Sequence, residues 1–275
     1  MAKISILIPA YNYLDGLIRI IETLKISDSS LVEILIFDDS SNDNISSYIS
    51  KSNFSKNIVY KRNKVSDGAV NNWNKLIEES TGEYILLMHH DEFPSDDLFL
   101  NNLLILVNRF SNVDVFSFKC VLLSNKQSFV RCHVTSFFRK FYAKTSPEYL
   151  FKRNFLGPVS TLLIRKSIIP RFDPNLKWFV DVSFYYELMM RTKRWLFYDD
   201  IIVFSEIERA DSITSNLKQT LKEVKKNEKK YLLNIFHNQN VFAQIIKHFF
   251  LDVFLVFDIY IKSIFVTKFD KIDYL

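Results

Sequence analysis

The stretch Glu83-Tyr84-Ile85-Leu86-Leu87-Met88-His89-His90-Asp91-Glu92 sets an unbroken apolar run directly against four polar residues. An apolar run of that length, entered from Thr81-Gly82, predicts a short strand buried on both faces. Two histidines and two acids in a row are costly to bury unpaired. They therefore mark the strand's carboxyl end as a place for polar chemistry rather than packing.

Working outward, the sequence before this strand alternates between two periods. Residues 3–9 (KISILIP) read as a buried strand ended by Pro9, and 14–25 place Leu14, Leu17, Ile18, Ile21 and Leu24 at helical spacing. Residues 32–37 (VEILIF) form the next expected strand, 43–51 a capped helix, 57–61 (NIVYK) a strand, and 68–79 a helix with Asp67 available as its N-cap. Alternation of this kind is the signature of an α/β layer fold with a mostly parallel sheet flanked by helices. Ligands of such sheets sit beyond the carboxyl ends of the strands. The residues there are Pro9-Ala10-Tyr11-Asn12, Asp38-Asp39-Ser40, Arg62-Asn63 and His89-His90-Asp91-Glu92. Further along, the sequence predicts a helix near 95–109, β-rich segments at 113–123 and 127–134, a loop around Gly157-Pro158, and helical spacing again over 181–192.

These ordered blocks resemble the family 2 inverting glycosyltransferases of the GT-A (Rossmann-like) fold, from about residue 3 to 215. The resemblance implies a domain over 1–215 and a C-terminal helical extension over 216–275. Pro9 ends the first strand and turns Tyr11 and Asn12 toward a nucleotide. Asp39 is the acid of the second block that would accept a hydrogen bond from the base. Asn63, Gly68 and Asn72 belong to a third block, where a glycine permits close backbone approach and a helix N-terminus favours phosphate.

In the fourth block Asp91 falls on the family's metal-binding acid, implying Mn²⁺ or Mg²⁺ shared with the donor diphosphate. The family's first acid falls on His89, and a neutral imidazole is a poor Mg²⁺ ligand. His89 and His90 are placed near the nucleotide. The segment Leu176–Phe184 resembles the block carrying the catalytic base, with Asp181 the expected base, Val180 standing where relatives often carry a Glu, and Trp178 an apolar platform for a sugar. Asp181 as an ordinary helix N-cap is the bland alternative. Arg209, in a late loop, would face acceptor or phosphate.

The implied reaction is single displacement at the anomeric carbon of a UDP- or dTDP-linked sugar, with inversion. The acceptor would be a saccharide or polyprenyl-diphosphate-linked saccharide, in the making of O-antigen or capsule. Two rivals stand beside it. A non-catalytic saccharide- or nucleotide-binding protein of the same fold is suggested by His89 and Val180. A sugar nucleotidyltransferase would carry a Gly-rich phosphate loop after the first strand, where this chain has PAYNYLDG.

Composition narrows the remaining classes. A net charge of +5 spread along 275 residues lacks the concentrated basic face of a nucleic-acid binder. Two cysteines, Cys120 and Cys132, are too few for a disulfide framework. The opening MAKISILIPAYN has no signal-peptide pattern, so a cytoplasmic location is expected. Residues 241–266 are strongly apolar and aromatic, but Lys247, Asp252, Asp258 and Lys262 interrupt them. Two uses fit that segment: an interfacial helix on the inner face of the plasma membrane, or a helix packed on the domain or on a homodimer partner.

Overall fold

A computed structural model describes residues 3–24, 30–52, 58–124, 129–207, 220–236, 252–253 and 255–257. Arg209 and most of the 241–266 segment lie outside the described residues.

The first half follows the expected alternation: β1 (Ile4–Ala10), α1 (Leu14–Leu24), β2 (Val32–Asp38), α2 (Asn44–Lys51), β3 (Ile58–Arg62), α3 (Ala69–Glu79) and β4 (Tyr84–Leu87). Then come β5 (Glu92–Pro94), α4 (Phe99–Arg109), β6 (Val115–Leu123), β7 (Phe129–Cys132), α5 (Ser136–Thr145), β8 (Leu162–Arg165), α6 (Val180–Arg191), β9 (Trp195–Glu206) and α7 (Leu221–Phe236). The sheet runs β3-β2-β1-β4-β8-β6-β9-β5, with β7 beside β6. Strands β1 to β4, β6 and β9 point one way, and β5, β7 and β8 run against them. The fold is α/β with a mostly parallel, curled sheet, as the alternation predicts.

Both faces of the sheet are covered, which is why its central strands read as continuous apolar runs. Ile6 and Ile8 of β1 join α1 (Leu17, Ile20) and α4 (Leu103, Leu106) in one core. Leu7 points the other way and meets α3 (Trp73, Leu76) and α6 (Phe184, Leu188) in a second. Leu232 of α7 and Leu255 are buried in that second core, so the described part of 216–275 packs directly on the domain.

The curl follows from β5. A turn at 89–92, closed by the Glu92 N–H on the His89 carbonyl at 3.0 Å, links β4 to this short strand. β5 pairs with β9, Glu92 opposite Ser205 and Pro94 opposite Val203. The Glu206 N–H also reaches the Asp91 carbonyl at 2.9 Å. The last strand on the path is thus brought beside the carboxyl end of β4. Arg19 of α1 fastens the closure, with one guanidinium nitrogen 2.6 Å from the buried Glu206 carboxylate and its plane 3.9 Å from the Phe93 ring centre.

Neither β5, β9 nor α5 is announced by the sequence pattern. The expected caps differ as well. Gly68, not Asp67, occupies the N-cap position of α3, at φ 78°, and the Asp67 carboxylate pairs with Lys75 instead. A positive φ at this point suits glycine alone.

Candidate functional site

The carboxyl ends of β1, β2, β3 and β4 supply the expected residues. After β1, Tyr11 is 51% exposed. Asn12 takes a left-handed backbone, φ 53°, a conformation asparagine tolerates. Its N–H donates to Ser40 Oγ at 2.8 Å, and its side-chain oxygen accepts from Ser41 N–H at 3.0 Å and Asn42 Nδ2 at 2.9 Å. The loops after β1 and β2 are therefore laced into one wall.

Asp39 is 5% exposed. Its Oδ1 accepts from Asn63 Nδ2 at 2.8 Å and the Asp67 N–H at 2.9 Å; its Oδ2 accepts from Ser66 Oγ at 2.7 Å and the Gly68 N–H at 3.0 Å. Burial raises its pKa, but these four bonds outweigh burial and hold the carboxyl below its ordinary range. A carboxylate has about four lone-pair positions, and all are occupied. In this structure Asp39 organises the loop between β3 and α3, and a base could be read by it only in exchange for one of these donors.

Asn63 also donates to Asn72 Oδ1 at 3.2 Å, and Asn72 donates to the Phe37 carbonyl at 3.0 Å. Asn74 pairs with both backbone groups of Phe172, at 2.9 Å each. Asn72 and Asn74, poor formers of a helix interior, are buried and fix α3 to β2 and to the segment before α6.

The four polar residues after β4 separate into distinct roles. His89 lies tilted against Trp73 at 4.6 Å between ring centres, and its Nδ1 lies 3.5 Å from Glu92 Oε2. Burial works against its charged form, yet Glu92, Asp91 and Asp181 outweigh burial and push its pKa up to about 9. Its Nε2 is buried with no hydrogen-bond partner. Glu92 is buried, and His89 overcomes that burial to keep the acid below its ordinary range. His90 sets its ring edge-on to Tyr13 at 5.6 Å. His89, Asp91 and Glu92 each offer one ligand atom within 4.8 Å of the others.

Asp181 lies in the first turn of α6 without serving as its N-cap, a position held by Phe179. The residue is half-buried and its Oδ1 is sealed with no hydrogen-bond partner. Burial raises its pKa to about 6, with His89 pulling down and Glu92 pushing up. That field joins α6 to the 89–92 turn. Tyr185, one turn along α6, is buried and donates to the Gly157 carbonyl at 3.0 Å, tying the Gly157-Pro158 loop to the same place. Tyr185 was not singled out from sequence, and Glu92 was read there as one of the four polar residues after β4, without a role of its own.

Gly16 is required by this turn. A methyl group there would sit 2.0 Å from the His90 carbonyl oxygen, so α1 and the turn touch backbone to side-chain position. Gly16→Ala gains about 1 kcal/mol of helix propensity but incurs about 1–3 kcal/mol of overpacking against backbone that cannot swing away. The variant should melt lower than wild type and lose turnover through displacement of the 89–92 turn. A thermal melt with a parallel nucleotide-release assay checks both.

With this geometry in view, comparison with known proteins is direct. Residues 5–171 match the profile of Glycosyl transferase family 2, and the chain belongs to that family. It is 32% identical over 117 residues to an uncharacterized glycosyltransferase of Rickettsia bellii, and 34% over 116 to another of Rickettsia felis. Each match covers 42% of this chain but only 16% and 18% of those longer relatives. The fold is similar to that of Staphylococcus aureus TarS 1-349, solved in complex with UDP-GlcNAc. The TM-score is 0.60 at 17% identity, over 78% of this chain and 61% of that one. The same protein in complex with UDP gives 0.57 at 17% identity, over 75% and 61%. The chain thus has the GT-A fold of a glycosyltransferase. Among the described residues no helix is long and apolar enough to cross a membrane.

Proposed function

We propose that this chain transfers a sugar from a UDP- or dTDP-linked donor, with inversion, to a saccharide or polyprenyl-diphosphate-linked acceptor in cell-surface polysaccharide synthesis. The observation that carries the reading is Asp181: a carboxylate with a sealed oxygen, a pKa near 6, and His89 and Glu92 across from it at the carboxyl end of β4. A general base works best with a pKa near the operating pH. The TarS complexes with UDP and UDP-GlcNAc support a nucleotide-sugar donor.

Asp181 takes the proton from the acceptor hydroxyl as its oxygen attacks the anomeric carbon. The carbon–oxygen bond to the nucleoside diphosphate breaks in the same step, which inverts the configuration. Trp178 offers its ring to the acceptor sugar. The wall formed by Tyr11, Asn12 and the Asp39-ordered loop receives the nucleotide.

The donor set of one imidazole nitrogen and two carboxylates, together with the buried, unpartnered His89 Nε2, fits a divalent cation that accepts nitrogen, Mn²⁺ before Mg²⁺. Asp91, with His89 and Glu92, would hold it. Such an ion supplies charge neutralisation for the departing diphosphate. An apolar C-terminal segment would suit a cytoplasmic enzyme resting on the membrane where a lipid-linked acceptor lies.

A panel of UDP- and dTDP-sugars, assayed for nucleotide release with and without MnCl₂ and followed by product analysis, tests the proposal. At least one sugar should turn over with inversion. A folded protein that binds nucleotide but releases none above background would instead be a binding module.

A further inference from the structure

Glu228 lies within the Lys-rich stretch of α7, yet it is 7% exposed. Its carboxylate accepts the backbone N–H groups of Lys177 at 2.6 Å, Trp178 at 3.1 Å and Phe179 at 2.9 Å. Helix α6 begins at the next residue, and Phe179 in its N-cap position has no side chain able to cap it. The start of a helix leaves backbone donors without intrahelical partners and carries the positive end of the helix dipole. A carboxylate arriving from α7 meets both needs with charge-assisted bonds.

The same helix grips the segment at other points. Lys225 Nζ sits 4.2 Å from the Trp178 ring centre. The Tyr231 hydroxyl donates to Asp173 at 2.8 Å. Asp181 follows Phe179 by two residues, in the first turn of the helix so anchored.

We propose that Glu228 is a positioning residue for sugar transfer: it clamps the entry to α6 so that Asp181 and Trp178 stand correctly toward the acceptor. This rests on the reading of Asp181 as base. It also gives the chain beyond residue 215 a part in the chemistry, independent of any membrane role.

The test uses the full chain and the donor that turns over best in the panel above, with UDP as binding probe. Misplacing a catalytic group by about 1 Å costs up to about 100-fold, so Glu228→Ala should lower kcat by about 10- to 100-fold. Donor KM and UDP affinity should stay within about twofold, because the Glu228 bonds go to residues 177–179 and the Asp39 loop is held by a separate set of bonds. Glu228→Gln keeps one carbonyl acceptor and should recover part of the loss, to within about 10-fold of wild type. Wild-type kcat in folded Glu228→Ala, or a loss carried entirely by donor KM, overturns the proposal. If the alanine variant does not fold, Glu228→Gln decides: a reduced kcat at unchanged donor KM sustains the clamp and an unchanged kcat overturns it. Asp181→Asn separates the two ideas. Full activity in that variant removes the base assignment itself, whereas an inactive Asp181→Asn beside a fully active Glu228→Ala removes only the clamp.

Discussion

Asp181→Asn should abolish sugar transfer, leave nucleotide bound, and make the protein more stable. Losing a general base costs about 10²- to 10⁴-fold in kcat. The stability gain follows from linkage. Folding raises the Asp181 pKa from 3.8 to about 6, so the folded state holds this proton more tightly than the unfolded chain does. The group favours folding below its unfolded pKa, and that advantage is lost as pH rises through about 6. Above that pH the ionised carboxylate is a burden of about 1–3 kcal/mol, reckoned at 1.36 kcal/mol per pKa unit and discounted for partial exposure. Asparagine is neutral at every pH. Thermal melts should therefore place Asp181→Asn at or above wild type at pH 7.5, with the gap closing toward pH 5. A variant that is inactive and less stable at pH 7.5 would point to a structural role for this acid.

Asp91→Ala should be the second severe lesion, with a distinct signature. Asp91 is partly exposed, and its carbonyl holds the Glu206 N–H, a bond that alanine preserves. Only the carboxylate is removed. Loss of an electrostatic partner of the departing group costs about 10²- to 10³-fold in kcat, and here UDP affinity in MnCl₂ should fall with it, unlike in Asp181→Asn. Isothermal titration of UDP with MnCl₂ and with EDTA makes the comparison. Wild-type turnover in purified Asp91→Ala would sink the assignment of Asp91 to a metal.

The contrast between these residues shows how unevenly the site can be read from sequence. The four parallel strands and the helices between them were legible because β1, β2 and β4 are buried on both faces and the helices bury one face each; β3, at the sheet edge, is half-exposed. Their carboxyl ends then pointed to the blocks that hold Asp39, Asn63, His89 and Asp91, and the family resemblance picked those residues within them. Strand β5 was illegible: three residues that include Glu92 and Pro94 have no period. Strand β9 carries Asp199-Asp200 in its middle, which hides its apolar pattern. Residues 127–134 read as β-rich and hold β7, but the helix after them went unread: Thr135 caps it by accepting the Phe138 N–H at 3.3 Å. Partners brought from far along the chain escaped entirely. Glu228 looks like one more charge on a solvated helix until the fold sets it beside residues about fifty positions earlier. The saturation of Asp39 by its own neighbouring loop is likewise a matter of geometry, not of motif.

The pairing of β5 with β9 has a consequence for the order of events during synthesis. The turn bearing His89 and Asp91 emerges from the ribosome about a hundred residues ahead of the strand that fastens it, since Glu92 lies opposite Ser205. A nascent chain can assemble β1 to β4 from local alternation alone, but contacts of such separation form late. Until residue 206 has appeared, the proposed nucleotide wall stands without the strand that fastens the 89–92 turn.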